Sequence, residues 1–320
     1  MKNEKRNVQN EKDCIKGKQD QKILMKLRTV LGRTKMNQSE YLQFNEIIKC
    51  LFNATHPLYE GKNVYHYTNL SSLLSIIENE ELWLSERNCM NDVNDENFIK
   101  NFLTDFSNNP KNTYTTILSE LINLATPHGH QYVFSTSIEE DSIHQWTYYG
   151  SSDAVCIVFD RQSLIDTFGE YCNWDKYYYG SMFYTKNFDK DSETKQVLYS
   201  VLSEYLRKLL FKQKELGNKE SEEYKKVFEY CYSLIKQQEH SCEKEYRFSV
   251  IPETTNVKFR DRKGLIIPYI KIDIDPKKVI SGIKIGPNNH EPMTETNLRF
   301  FLETNGLDNI PIDFSNMVIR

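Results

Sequence analysis

A single α+β domain is the fold class this chain predicts, and three observations predict it. Short segments alternate strictly between apolar and polar residues, helical stripes are set between them, and strands and helices follow one another without a repeating crossover pattern. Taken in order, residues 1–37 read as a flexible basic leader: 1–22 lack apolar periodicity, and Ile23 to Leu31 form at most a short helix that stops at Gly32. Ser39 then caps a helix within 38–58 that carries Phe44, Ile47, Ile48, Leu51 and Phe52 on one face and ends at His56-Pro57. The domain proper spans 59–320. It opens with a strand at 64–68, a helix at 71–80 (Leu73, Leu74, Ile76, Ile77), a strand at 82–85, a polar loop through Asn91-Asp92 and helices within 96–124. Strands at 131–137, 154–159 and 176–185 follow. Between 192 and 238 two stripes (Leu198, Val201, Leu202, Tyr205, Leu209; then Tyr224, Val227, Phe228, Ile235) flank Gly217-Asn218, which predicts an inserted αα-hairpin. Strands return at 245–250, 265–272, 278–286 and 310–314, with one helix at 294–304.

Composition narrows the class. With 320 residues, 39% hydrophobic and 12% aromatic, the chain is long enough to bury one large core and too apolar to be disordered throughout. The longest apolar runs, such as Leu265-Ile266-Ile267, fall far short of the roughly 20 residues of a membrane span. The N-terminus has lysines without an apolar signal core, and the seven cysteines form no C-x-x-C pair, so a cytoplasmic protein with free thiols is expected. The net charge of −4 is uneven: residues 1–35 hold eleven Lys or Arg against four acids, leaving −11 for the remainder. Such a leader would contact nucleic acid or an acidic protein, or simply be solvated, whereas the acidic body is no general nucleic-acid binder.

Chemistry concentrates on three strands. In Glu243-Lys244-Glu245-Tyr246-Arg247-Phe248-Ser249-Val250, alternation puts two acids and an arginine on one face and Tyr246, Phe248 and Val250 on the other. The plain reading is a half-buried strand with a cross-strand ion-pair ladder; the functional reading is a site. Two companions favour a site: the histidine strand Val64-Tyr65-His66-Tyr67-Thr68 and the hydroxyl strand Val133-Phe134-Ser135-Thr136-Ser137. A histidine and serine hydroxyls can hold ribose hydroxyls, and a fixed carboxylate can stabilise positive charge at an anomeric carbon. Glycine-rich phosphate loops are absent, since Gly61, Gly150, Gly169, Gly180 and Gly217 stand alone. His128-Gly129-His130 and His240-Ser241-Cys242 match no zinc spacing, so no metal ligand is assigned, and Cys242 near His240 is a weak nucleophile candidate.

Taken together, Tyr65-His66-Tyr67-Thr68, Leu82-Trp83, Asn91-Asp92 with Glu96, Ser135-Thr136-Ser137, Gln145-Trp146-Thr147-Tyr148-Tyr149-Gly150, Glu243-Lys244-Glu245-Tyr246-Arg247 and Ile283-Lys284-Ile285-Gly286-Pro287 resemble the bacterial domain of unknown function 2971, over about residues 60–320. A more distant likeness is to ADP-ribosyltransferases, whose site combines a first-strand histidine or arginine, a middle-strand tyrosine or Ser-Thr-Ser, and a late glutamate. That likeness implies an ADP-ribosyltransferase-like fold with NAD as substrate and transfer or hydrolysis at the nicotinamide ribose. His66, with Tyr67 and Thr68, would contact the adenosine ribose; Ser135, Thr136 and Ser137 would support the nicotinamide end, with Trp146 or Tyr149 stacking on the base. Glu245 would be the catalytic carboxylate and Glu243 would assist an acceptor, which is a protein, a nucleic acid or water. The alternatives are a non-catalytic nucleotide- or protein-binding module on the same fold, and a metal-dependent hydrolase.

Overall fold

The structure is a computed structural model and describes residues 59–90, 130–149, 152–172, 177–185, 233–252, 256–262, 264–287, 289 and 293–318. The leader at 1–37, the helix at 38–58, the Asn91-Asp92 loop, the helices within 96–124 and most of the hairpin at 192–238 lie outside the described residues.

The mixed α and β elements form one mostly antiparallel sheet with helices set against it. Strand β1 (Asn63–Asn69) leads into α1 (Leu70–Asn79), whose first turn is capped by Asn69: its Oδ1 accepts hydrogen bonds from the Ser72 amide and the Ser71 hydroxyl, both at 2.8 Å. Glu80, in the left-handed region at φ 54°, ends the helix, and the chain turns into β2 (Glu81–Glu86). After β3 (Tyr132–Ser137) come α2 (Ile143–Tyr149), β4 (Ala154–Asp160) and α3 (Arg161–Tyr171), the last capped by Asp160. The predicted strand at 176–185 divides into β5 (Tyr177–Ser181) and β6 (Phe183–Thr185). β7 (Ile235–Gln237) then pairs with β6 and a 3-10 turn over Gln238–Glu243 follows, so the residues predicted to close a helical hairpin at 238 instead start a small second sheet. β8 (Glu245–Val250), β9 (Lys258–Arg262) and β10 (Leu265–Asp273) precede α4 (Pro276–Val279), β11 (Ile280–Ile285), α5 (Thr294–Thr304) and β12 (Ile312–Phe314). α5 keeps its predicted bounds, while α3 and β9 are elements the sequence reading passed over.

The sheet forks at β3. One edge of β3 pairs with β8 along its whole length, and β8 pairs in turn with β5. The other edge is shared: β1 meets it at the pair Tyr65–Ser137, and β2 meets it at Ser85–Val133 and Glu86–Tyr132. One branch runs on through β4, β11 and β12, the other through β10 to β9. Between the two attachment points, β1 and β2 diverge around α1.

On one face of β3 and β8, Phe134 and Phe248 pack with Phe159, Phe168, Tyr177 and Tyr246, and Phe168 meets Phe248 edge-on at 5.1 Å between ring centroids. Each such side chain contributes about 1.5–3 kcal/mol on burial. Every residue of β8 is buried, which corrects the expectation of a half-buried strand with a solvated acidic face. β8 is an interior strand, and Tyr184 and Lys236 from the small β6–β7 sheet reach its polar face.

Candidate functional site

A cavity of about 630 Å³ opens at the fork. Its floor is β3, its walls come from β1, α1 and β2, the Glu243–Arg247 segment lies at one end, and Arg260 and Arg262 of β9 also line it. The size falls within the ~300–1,000 Å³ of small-molecule sites.

The register explains how the three chemical strands contribute. Ser137 stands opposite Glu245 and Ser135 opposite Arg247, so these four side chains share one face of the sheet. Within that face Arg247 grips Glu245 through two bonds, Nε to Oε1 at 2.7 Å and Nη2 to Oε2 at 3.0 Å. Lys236 Nζ lies 2.7 Å from Glu243 Oε2 and 3.4 Å from Glu245 Oε2, bridging the two carboxylates. Burial pushes the Glu245 carboxyl up, but the Arg247 and Lys236 charges, with hydrogen bonds from Arg247 and the Ser135 hydroxyl, outweigh it and hold the group well below the usual carboxylate range. Glu245 is therefore an ionised, immobilised carboxylate. Glu243, at the end of the 3-10 turn rather than on the strand, is more exposed, and its Oε1 lies 3.2 Å from His240 Nδ1.

His66 arrives from the other side. Because Tyr65 pairs with Ser137, alternation puts His66 on the opposite sheet face from Ser137 and Glu245, and its ring lies 4.6 Å from that of Phe134. It reaches the fork through its Nδ1, 3.0 Å from the Ser135 carbonyl oxygen on the open edge of β3. A carbonyl only accepts, so Nδ1 carries the proton and Nε2 is the lone-pair atom. Burial lowers the pKa of the ring, partly offset by this bond, and so favours the neutral imidazole.

The remaining predicted residues divide. Thr68 and Tyr149 line the cavity. Thr136 and Ser137 also line it, but their hydroxyls serve the backbone: Thr136 donates to the Tyr246 carbonyl at 2.7 Å and Ser137 to the Glu243 carbonyl at 2.9 Å. Tyr67 borders the cavity while its hydroxyl donates to the Glu139 carbonyl and accepts from the Ser142 amide. Trp146 is a correction: its ring is fully buried against Tyr67, its Nε1 donates to Asp141 at 2.6 Å, and it does not line the cavity, so it has no face to offer a base. Cys242 sits with Sγ 3.3 Å from His144 Nε2, not paired with His240. Among the described residues no cluster of three or more His, Cys, Asp and Glu is placed to hold a metal ion, and no helix is long and apolar enough to cross a membrane.

Sequence reasoning missed Lys236, Gln145 and the β9 arginines. Lys236 was absorbed into the helical hairpin, and nothing in its local pattern signals a bridge between two glutamates seven and nine residues on. Gln145 donates to the Glu243 carbonyl at 2.7 Å, tying α2 to the turn before β8. For β9 the signal was faint, because Lys258-Phe259-Arg260-Asp261-Arg262 holds one apolar residue among four charged ones and gives little alternation to read.

No curated protein and no solved structure matches the chain. Residues 145–248, from α2 to Phe248 of β8, match the family model described as Protein of unknown function (DUF2971), so that segment is similar to this family.

Proposed function

We propose that the cavity binds NAD and that the protein cleaves its nicotinamide–ribose bond, by ADP-ribosyl transfer to an acceptor or by hydrolysis. The observation that carries this reading is the fork: the histidine, Ser-Thr-Ser and Glu-x-Glu segments, far apart in sequence, line one opening. In this chemistry the C–N glycosidic bond breaks with its electron pair leaving on nicotinamide, and an oxocarbenium-like centre is attacked by water or an acceptor oxygen. An immobilised, ionised Glu245 supplies electrostatic stabilisation without titrating near pH 7. His66, through its Nε2 lone pair, accepts a ribose hydroxyl, and Ser135 orients both carboxylate and ligand. Glu243, more exposed, is the group placed toward an acceptor.

One observation favours the second reading, a non-catalytic nucleotide-binding module. Both oxygens of Glu245 are already engaged by Arg247 and Lys236, which leaves less of its charge for a developing cation. Incubating the full chain with NAD and quantifying free nicotinamide separates the two. The enzyme reading expects release, and Glu245→Gln slows it by about 10²-fold or more while NAD still binds. NAD binding by calorimetry with no nicotinamide released establishes the module instead, and absence of both rejects the NAD assignment.

A further inference from the structure

The β9 side of the cavity carries charge that the glycosidic chemistry does not use. Alternation along β9 puts Lys258, Arg260 and Arg262 on one face, and the registers place Tyr269 and Lys271 of β10 and Trp83 and Ser85 of β2 on that same face. Trp83 and Tyr269 stack at 4.5 Å, and the Arg260 guanidinium lies 5.7 Å from each ring centroid. Its Nη2 donates to the Ser85 hydroxyl at 2.7 Å, while its Nε is buried without a hydrogen-bond partner. Ring stacking and the serine thus fix the guanidinium but leave one of its donors unused.

The carboxylates nearby are occupied. Glu81 is taken by Lys271, and Asp261 accepts from the Gly264 amide at 3.1 Å. Among the described residues neither Arg260 nor Arg262 takes part in an ion pair, although both line the cavity. Burial, and then the nearby charge of Arg262, both disfavour the charged form of Arg260. Two guanidinium groups around one cavity, one of them partly desolvated, repel each other until an anion sits between them. The planar fork of arginine matches phosphate oxygens in two-point geometry.

We propose that Arg260 and Arg262 form a phosphate site, which takes the diphosphate of a nucleotide bound in the cavity. The nucleotide part of this assignment rests on the reading above; the phosphate part stands on the two arginines alone. The probe is inorganic pyrophosphate, titrated calorimetrically into the full chain at low salt, with Arg262→Gln, Arg260→Gln and the distant exposed Lys278→Gln as variants. Arg262 is exposed and its replacement leaves the fold intact, as melting checks, so the test survives even if Arg260→Gln loosens the β2–β10 face. Pyrophosphate should bind, and each arginine variant should weaken it about tenfold or more while Lys278→Gln leaves it unchanged. No binding to the folded wild type, or an equal loss in Lys278→Gln, overturns the site. Nicotinamide release reports separately. Pyrophosphate held by the arginines without release sinks the glycosidic reading and keeps the phosphate site. Release from NAD with pyrophosphate affinity indifferent to both arginines does the reverse.

Discussion

Strands β8 and β9 carry nearly the same kind of sequence and meet opposite fates. Glu245-Tyr246-Arg247 and Lys258-Phe259-Arg260 both set an aromatic residue between two charged ones, yet every β8 residue is buried while four of the five in β9 are exposed. β8 lies between β3 and β5 with Tyr184 and Lys236 over its polar face, whereas β9 pairs, among the described residues, with β10 alone. Alternation assigns side chains to faces, and the neighbours decide what each face meets. The charges of β8 therefore had to find partners inside the protein, and those of β9 are left facing a cavity and solvent.

The sharpest way to break this comparison is to remove one partner from the buried set. Arg247→Ala leaves Glu245 enclosed with Lys236 as its remaining cation, and should cost about 3–5 kcal/mol in a urea melt. A loss under about 1 kcal/mol would mean that water reaches the β8 face and that its charges are no more buried than those of β9.

Acid is a gentler probe of the same contrast. Glu245 holds its proton less readily in the fold than in the unfolded chain, so its stabilisation is complete above the unfolded value near ~4.3 and is lost as pH falls through it toward the folded value. His66, whose folded value lies below its unfolded value near ~6.5, gives stability that begins to fade once the pH drops under that point. Urea midpoints should thus decline in two windows, and Glu245→Gln should flatten the lower one only. An unchanged lower window in that variant would show that Glu245 is not held below its ordinary range.

The smallest effect belongs to β9. Phe259 is 65% exposed, and Phe259→Ala should change stability by no more than about 0.5 kcal/mol, where the corresponding Phe248→Ala in β8 costs about 3–5. A large loss at Phe259 would reveal that another part of the protein covers the hairpin.

Much of the element order was legible because it depends on local periodicity. β1, α1, β2, β3, β4, β8, β10 and α5 follow from alternation, stripes and caps such as Asn69, with bounds shifted by a residue or two. α3 was passed over although Asp160 stands as its cap, since its apolar stripe is short: Leu164, Ile165 and Phe168. The likeness of Ser135, Ser137 and Glu245 to a site could be read as residue types in order.

Only the tertiary structure decided which of those residues meet. Sequence by itself determined that Glu245 and Arg247 share a face, because a strand has a period of two. It could not place Lys236 between Glu243 and Glu245, bury Trp146 against Tyr67, or send His66 to the opposite face with its Nδ1 turned back to the Ser135 carbonyl. Those outcomes depend on pairing between strands far apart in the chain, on where the sheet forks, and on which edge remains interior. Local propensity carries no information about such contacts, because their energy arises only when distant segments exclude water from one another.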